Sequence, residues 1–486
     1  MEMSSMPQCL SYSLNRMNSV SVNSFQINST SASSVLANSQ IRFLLPTSGM
    51  LDFKTLRLHF AVELTEGAAN GGARLPAGIK HLFNRVQVQV GGVTIAQGTN
   101  FFGVQEDALS IVNNKPPSVV SEHGEMVTEY DYAGAHITAS NTAGSEKYAQ
   151  GLGKNSTLFS IDLGDVAKIS PRIVPLDLIG QVEIIFFTAP NTVLSAVLGK
   201  DPTGSAAAMT LNNTNTAPTY TISKASLVAN MYSLEDGAFS MSVASRIRDT
   251  GFVELCFPQH LAFSQAWNGS ARFALSAMSL NKLHALWRRN TGTYAFATIG
   301  GAIPVAGSAT AALDDGPRYP WQGAIAAAVG DSRYRGRCQH FSAPTANPGN
   351  ADSVEDGTAL NYGAADVSEP LKLQYKINSA QVPNFQANQS QWAELTKWAN
   401  NVDALDCKST VEYLFNKFVV SYPLELPHNA WERKAITGLD TRSTSTFITL
   451  EGTGNVNVSS QYDVLILAEV STLVRVGAGK SLEVLM

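Results

Sequence analysis

Charged residues, cysteine and long apolar runs are all scarce in this sequence. Lys, Arg, Asp and Glu make up 15% of the 486 residues, whereas about 25% is usual in soluble proteins. The four cysteines, Cys9, Cys256, Cys338 and Cys407, lie far apart without a C-x-x-C spacing, which excludes the common zinc motifs and a disulfide framework. We therefore expect a largely neutral surface and reduced, buried thiols.

A basic excess and an export signal are missing as well. The 34 Lys and Arg residues against 39 Asp and Glu residues leave a net charge of -5, so we expect no sequence-specific nucleic-acid binding. Residues 1–30 are rich in Ser and Asn without an apolar stretch of signal-peptide length, and no run of about 18 apolar residues occurs. The sequence predicts a protein kept in a reducing, aqueous compartment.

The dominant pattern is alternation with a period of two in segments rich in Val, Ile, Phe and Thr. Such alternation is typical of strands with one buried face, and clusters of Gly, Asn, Pro and Ser separate the segments. The clearest segments are Leu56–Leu64, Val86–Val90, Leu158–Leu163, Val182–Phe187, Lys372–Ile377 and Tyr462–Val470. Helical patterns are few and short, which predicts an all-β protein with short helical insertions.

One block predicts a hairpin followed by a helix. Leu82–Val90 alternates, Gly91-Gly92 can adopt positive φ in a tight turn, and Val93–Ala96 alternates again. Asn100 is a good N-cap for an amphipathic helix over Phe101–Val112, where apolar residues recur every 3.6 positions.

The same order of elements returns in the second half of the chain. A strand over Leu371–Ile377, a turn at Asn378-Ser379, a short strand ended by Pro383 and a helix near Gln389–Ala399 follow one another. We infer two tandem copies of one all-β architecture, joined near Met231–Ser245. Residues 291–369 are rich in Gly, Ala, Ser and Pro, which predicts a long surface loop in the second copy. The polar composition of residues 1–16 predicts an N-terminal arm.

Motifs for chemistry are weak throughout the sequence. Gly477–Ser481 resembles the end of a phosphate-binding P-loop, but Val474 replaces a required glycine and a strand pattern follows, which predicts a turn instead. No H-x-H, H-E-x-x-H or G-x-S-x-G spacing occurs, so we expect no catalytic residue, no cofactor and no metal site. The scattered histidines are His59, His81, His123, His136, His260, His284, His340 and His428.

Two groups of charged residues leave alternatives open. Glu129 and Asp131 share a face of a predicted strand and Asp314-Asp315 lie in the long loop, so a glycosidase-like carboxylate pair is the alternative to solvated charges. A second group could meet phosphate or a neighbouring carboxylate, or lie on a solvated face or a subunit rim. Its members are Arg333, Arg335, Arg337 and the pair Arg288-Arg289.

Several blocks, in their order from about residue 18 to the C-terminus, carry a family resemblance. They are Leu82–Val88 with Gly91–Gly98, Arg172–Asp177, Leu373–Asn378 with Val382–Asn384, Gly438–Ser443 and Tyr462–Ala468. In these blocks the sequence resembles the major capsid proteins of the double jelly-roll virus lineage, most closely those of Polinton-like viruses and virophages. The long loop and the N-terminal arm are not covered.

The resemblance implies two tandem eight-stranded jelly-roll β-sandwiches with short helical insertions, in agreement with the two inferred copies. It assigns residues 1–18 to an N-terminal arm, 19–234 to the first jelly roll and 235–243 to a linker. Residues 244–486 would form the second jelly roll, with the inserted loop at about 291–369.

The resemblance also implies a structural protein of a virion. In the family, three chains form a pseudo-hexameric capsomer, and capsomers tile an icosahedral shell around a double-stranded DNA genome. The implied partners are neighbouring capsomers, penton and minor capsid proteins, and an inner membrane as a further contact of the N-terminal arm. The low charge suits large subunit interfaces, whose centres are poor in charged residues.

Two other functions fit a jelly roll. One is a soluble carbohydrate-binding protein or a glycan-active enzyme, which would have clustered aromatic residues on a sheet face or a carboxylate pair in a cleft. The other is a viral fibre or penton protein, usually built from a single jelly roll. A trimer in solution would favour the capsomer hypothesis, whereas a monomer that binds sugar would favour the carbohydrate-binding alternative.

Overall fold

The computed structural model describes residues 20–65, 71–74, 79–98, 100–114, 157–193, 195–198, 219–234, 238–289, 341, 343–344, 370–407, 413–414, 417–425, 437–442, 446–456 and 462–485. The predicted arm at residues 1–18 lies outside these residues, and so does most of the predicted loop at 291–369.

The first half of the described chain forms two sheets that enclose one core. The strands are β1 (Val20–Asn28), β2 (Ser34–Leu36), β3 (Gln40–Leu44), β4 (Met50–Asp52), β5 (Arg57–Thr65), β6 (Gly71–Arg74), β7 (Phe83–Val90), β8 (Val93–Ala96), β9 (Thr157–Asp162), β10 (Ile173–Pro175), β11 (Val182–Thr188), β12 (Ser195–Leu198) and β13 (Thr219–Leu234). Two short helices accompany them, α1 (Phe102–Val112) and α2 (Leu176–Ile179). One sheet has the order β1-β13-β5-β9, extended by β2, β4 and β10, and the other has the order β3-β11-β7-β8. The short strands β6 and β12 pair with each other.

The second half repeats this arrangement. Helix α3 (Ala238–Thr250) leads into it, and helix α4 (Gln389–Asn400) lies within it. The strands are β14 (Phe252–Trp267), β15 (Ser270–Ala274), β16 (Leu280–Arg289), β17 (Lys372–Ile377), β18 (Ala380–Asn388), β19 (Val419–Pro423), β20 (Phe447–Thr453), β21 (Tyr462–Gly477) and β22 (Leu482–Leu485). One sheet has the order β14-β21-β16-β19, with β22 added to β21, and the other has the order β15-β20-β17-β18.

The strand order is the same in both halves. When the eight main strands of each half are numbered along the chain, one sheet reads 1-8-3-6 and the other reads 2-7-4-5. This is the strand order of a jelly roll built from two Greek keys. Helices α1 and α4 both lie between the fifth and sixth main strands. The two predicted copies of one all-β architecture are therefore confirmed.

Each core forms because successive side chains of a strand point to opposite faces of its sheet. In β7, Val86, Val88 and Val90 are buried, whereas Gln87 and Gln89 between them are only half-buried. All six predicted strands are present, and β21 continues seven residues beyond its predicted end.

The predicted hairpin is confirmed, but its helix begins one residue later than predicted. Gly91 and Gly92 adopt φ of 56° and 84° between β7 and β8, a conformation that glycine takes without steric cost. The N-cap of α1 is Phe101 and not Asn100. The ring of Phe101 packs at the edge of an apolar cluster, and this packing outweighs the capping preference of the asparagine.

The corresponding hairpin of the second half is also present, but Pro383 does not end its second strand. Strand β18 continues to Asn388, because it is the edge strand of its sheet, where a residue without a backbone N–H is tolerated. The carbonyl of Pro383 accepts a hydrogen bond from Gln374 Nε2 at 2.8 Å. Asn388 then caps α4 through a reciprocal pair of hydrogen bonds with Gln391.

The segment between the two halves is partly helical. The predicted linker at 235–243 overlaps α3, which begins at Ala238 and continues to Thr250. The predicted jelly-roll boundaries at 234 and 244 remain predictions. Within the described ranges, no helix is long and apolar enough to cross a membrane.

Candidate functional site at the seam between the two sandwiches

The strands β14 and β21 contribute to both cores. They pair over their whole length, from Phe252 opposite Gly477 to Trp267 opposite Tyr462. The Trp267 end lies in the second core, and the other end reaches into the first core. The residues that it places there are Leu255, Phe257, Val474 and Val476. One two-stranded ribbon therefore joins the two sandwiches.

The first sandwich also binds this ribbon through its backbone. Ser170 and Cys256 exchange both main-chain hydrogen bonds, at 2.6 and 2.8 Å. An apolar cavity of about 20 Å³ remains nearby, with Val166, Ile169 and Leu255 in its lining. A cavity of this size holds at most about one water molecule, whereas pockets for small ligands usually measure about 300–1,000 Å³. This cavity is therefore a packing gap and not a sugar-binding cleft.

Helix α1 of the first sandwich packs against the second sandwich. Its apolar face forms one buried cluster with residues of β16, β19 and β21 and with Phe341, and the N–H of Asp406 donates to the carbonyl of Ile111 at 3.1 Å. The buried members of this cluster are Val104, Ala108, Leu109, Ile111, Val112, Leu286, Phe341, Val419, Leu465 and Leu467. We call the contact made by α1, the ribbon and the turn Gly164–Lys168 the seam.

Phe341 shows that the predicted surface loop at 291–369 is not wholly a surface excursion. Its side chain is fully buried in the seam, and its carbonyl accepts a hydrogen bond from the N–H of Phe418 at 2.9 Å. Part of this segment therefore belongs to the packed structure.

One lysine forms ion pairs with two carboxylates on the first-sandwich side of the seam. Lys80 Nζ lies 3.0 Å from Glu106 Oε2 and 2.9 Å from Asp162 Oδ1. Burial raises the pKa of Glu106, and the charge of Lys80 offsets this only in part. Burial opposes ionisation of Asp162 too, but Lys80 and the N–H of Gly164 lower its pKa overall. Asp162 is therefore the better-stabilised anion of the two.

Asp165 connects the first sandwich to β14 by side-chain hydrogen bonds. Its Oδ2 lies 2.7 Å from Nδ1 of His260 and accepts from Gln105 Nε2 at 2.8 Å. Its Oδ1 accepts from Lys168 Nζ at 3.1 Å. Burial opposes ionisation of Asp165, but His260 and Lys168 hold its pKa far below the usual value. The carboxylate is therefore ionised at neutral pH.

His284 and Glu469 lie beside His260 on the same face of the sheet. Nδ1 of His284 is 2.7 Å from Ser421 Oγ, and the ring centroids of the two histidines are 6.0 Å apart. Burial lowers the pKa of His284 to about 3, so its ring is neutral at neutral pH. Lys282 Nζ lies 3.9 Å from Glu469 Oε2. Strand pairing brings these residues together from distant parts of the chain, and no short histidine motif in the sequence indicates this.

The other candidate residues identified in the sequence lie in several parts of the structure. Arg288 lies over the ring of Phe101, 5.7 Å from its centroid, at the edge of the seam. Gly477–Ser481 forms the predicted turn between β21 and β22. Cys256 and Cys407 are half-buried rather than buried. Several other candidates lie outside the described residues; they are Glu129, Asp131, Asp314-Asp315, Arg333, Arg335, Arg337, His123, His136, His340, His428, Cys9 and Cys338.

Comparison with known proteins identifies the fold. No protein-family model matches the sequence, and neither does any curated protein. PBCV-1 VP54, in a structure fitted into a cryo-EM reconstruction of the virophage Sputnik, matches with a TM-score of 0.51 and 12% identity, over 97% of this chain and 98% of that chain. The Faustovirus major capsid protein matches with a TM-score of 0.50 and 11% identity, over 95% of this chain and 91% of that chain. At such low identity the likeness concerns the fold, and the chain has the double jelly-roll fold of these proteins.

Proposed function

We propose that the chain is a major capsid protein that trimerises into pseudo-hexameric capsomers, which tile an icosahedral shell around a double-stranded DNA genome. The observation that carries the proposal is the pair of sandwiches with identical strand order, joined by one ribbon that enters both cores. Three such chains supply six similar barrels, and a head-to-tail ring of three closes when each contact rotates by a third of a turn.

Exposed apolar side chains on edge elements support an assembling surface. Strand β1 is an edge strand whose residues Ser21–Gln26 are all exposed, including Val22 and Phe25. Phe385 on the edge strand β18 and Trp398 on α4 are exposed as well. Unpaired sheet edges with apolar side chains tend to associate, and contact with neighbouring subunits would cover them.

The proposal places the protein in the virion and assigns it a structural role without catalysis. Its partners would be neighbouring capsomers, penton proteins and minor capsid proteins. Residues 1–18 would touch these proteins or an inner membrane from inside the shell. The low charged fraction of the sequence suits interfaces of roughly 2,000–5,000 Å² or more, which avoid buried unpaired ions.

Size-exclusion chromatography with light scattering tests the proposal directly. A trimer of about 156 kDa, three times 51.9 kDa, is the expected result. Electron microscopy of concentrated material should then show shells with hexagonal surface units. A monomer that binds glycans on an array would instead favour the carbohydrate-binding alternative and contradict the capsid role.

A further inference from the structure

Three potential metal ligands converge on the seam face of the second sandwich. His260 on β14 pairs directly opposite Glu469 on β21, and His284 on the adjacent strand β16 pairs opposite Leu467. Leu467 and Glu469 are two residues apart, so the three polar side chains share one face of the sheet. All three are buried, with exposed fractions of 2% for His260, 1% for His284 and 7% for Glu469.

Each of the two imidazole rings has its hydrogen-bond partners at Nδ1, which leaves its Nε2 available to a ligand. Asp165 and Gln105 lie within hydrogen-bond distance of Nδ1 of His260, and Ser421 occupies the same position on His284. The Nε2 atoms of both rings are buried, and no described residue hydrogen-bonds either of them. A histidine that ligates a metal typically has its second ring nitrogen fixed by a carboxylate or another polar group. The Asp165–His260 pair has this form.

The distances fit one ion. A ligand atom from each of the three residues lies within 4.8 Å of the other two, and three such atoms always fit inside a circle of radius about 2.8 Å. Zinc–nitrogen and zinc–oxygen bonds measure about 2.0–2.2 Å, so each atom would move inward by about 0.8 Å at most. Small side-chain rotations supply such a shift without moving the strands.

The chemistry of the three ligand atoms favours some metal ions over others. Two imidazole nitrogens and one carboxylate oxygen suit a borderline transition metal better than Mg²⁺ or Ca²⁺, which prefer oxygen ligands. Asp165 and Glu469 bring negative charge to the cluster. Lys168 lies beside Asp165, and Lys282 lies beside Glu469. A zinc ion bound by two histidines and one glutamate has a fourth coordination position, which water can occupy.

We propose that His260, His284 and Glu469 bind one divalent transition-metal ion, best suited to zinc, which fastens β14, β16 and β21 together at the seam. Asp165 is the positioning residue, because it holds the His260 ring from the first sandwich and so couples the ion to both halves of the molecule. This departs from the expectation of no metal site that the histidine spacing supported. The inference does not depend on the proposed capsid role.

The test uses the full chain, purified without a histidine tag, treated with a chelator and then titrated with Zn²⁺ or Co²⁺ alone. We expect one Zn²⁺ per chain by elemental analysis and visible absorption bands typical of Co²⁺ bound to nitrogen and oxygen ligands. Zinc at a hundred times its Kd should raise Tm by about 2–3 °C, since binding to the native state alone stabilises it.

Two matched variants locate the site. His284→Gln should abolish the Co²⁺ spectrum and the zinc-dependent rise in Tm. His81→Gln should retain both, because His81 is also a buried histidine but its Nε2 pairs with Asp107 of α1 at 2.6 Å. Wild-type protein without stoichiometric zinc or a Co²⁺ spectrum would overturn the proposal, as would full binding by folded His284→Gln. Should His284→Gln fail to fold, the wild-type Co²⁺ spectrum alone decides.

Discussion

At the scale of single residues, buried charges are held by partners from distant parts of the chain. Asp52 is fully buried and accepts from Arg172 Nε at 2.7 Å, from Arg172 Nη2 at 2.5 Å and from the N–H of Lys54 at 3.1 Å. Arg172 begins one of the blocks on which the family resemblance rests. A two-pronged guanidinium contact of this kind fixes orientation as well as charge.

Replacement of Arg172 with alanine should therefore destabilise the protein. Among the described residues, the substitution leaves the buried carboxylate with the N–H of Lys54 as its one partner, which we expect to cost about 1–3 kcal/mol in the free energy of unfolding. Arg42→Ala is the matched control, because the contact of Arg42 with Glu183 is exposed and longer, at 3.4 Å, and should contribute at most about 0.5 kcal/mol. Urea unfolding measures both, and equal losses would contradict this assignment.

Burial of Glu106 makes the stability of the protein depend on pH. Because burial raises the pKa of this side chain in the folded state, the native protein disfavours ionised Glu106 relative to the unfolded chain. The corresponding stability is present below the unfolded pKa, near 4.5, and is lost as pH rises through the folded pKa. Glu106→Gln does not ionise, so its Tm relative to wild type should increase from pH 4 to pH 8. A difference that shrinks over this range in thermal melts would show the opposite sign.

At the scale of elements, α1 and the ribbon of β14 and β21 set how the sandwiches meet. Helix α1 approaches the chain before β7 so closely that Gly103 is required. A Cβ at this position would lie 2.6 Å from Cα of His81 and 2.7 Å from its N atom. A side chain could rotate away from such a contact, but backbone atoms cannot do so without moving the segment.

Gly103→Ala should therefore destabilise the protein despite the better helix propensity of alanine. The propensity gain is about 1 kcal/mol, whereas overpacking against backbone costs about 1–3 kcal/mol and displaces α1 from the seam. Ser110→Ala is the control on the same helix, and should be neutral or slightly stabilising. Thermal melts of both variants test the ranking; a Gly103→Ala protein more stable than wild type would refute the close approach.

At the scale of the whole molecule, the shared ribbon makes the two sandwiches depend on each other. Phe257 belongs by sequence to the second half, yet its side chain is buried in the first core. Unfolding of either sandwich alone would expose apolar residues of the ribbon to water. This exposure has a free-energy cost proportional to the exposed apolar area.

The two sandwiches should consequently unfold in one transition. Differential scanning calorimetry of the full chain is expected to show a single peak, and Phe257→Ala should lower its Tm without splitting it. The cost of this truncation should be about 3–5 kcal/mol. Two separated peaks in the wild-type protein would mean that the ribbon does not couple the cores.

Local patterns in the sequence were enough to predict the individual strands and helices. Alternation with a period of two located the strands, Gly91-Gly92 located a hairpin, and the recurrence of hairpin and helix revealed the two copies, because these signals act between residues close together in the chain. Local patterns were wrong at Asn100, where packing of Phe101 overrides the capping preference, and at Pro383, where the edge position of the strand tolerates a proline.

Which distant residues meet depends on the three-dimensional fold. Pairing of β14 with β21 joins segments about 200 residues apart, and no local pattern encodes that pairing or its register. For this reason the ribbon shared by both cores, the burial of Phe341 and the meeting of His260 and His284 with Glu469 followed from the fold alone. Each depends on the position of one strand relative to another, which packing of the complete cores determines.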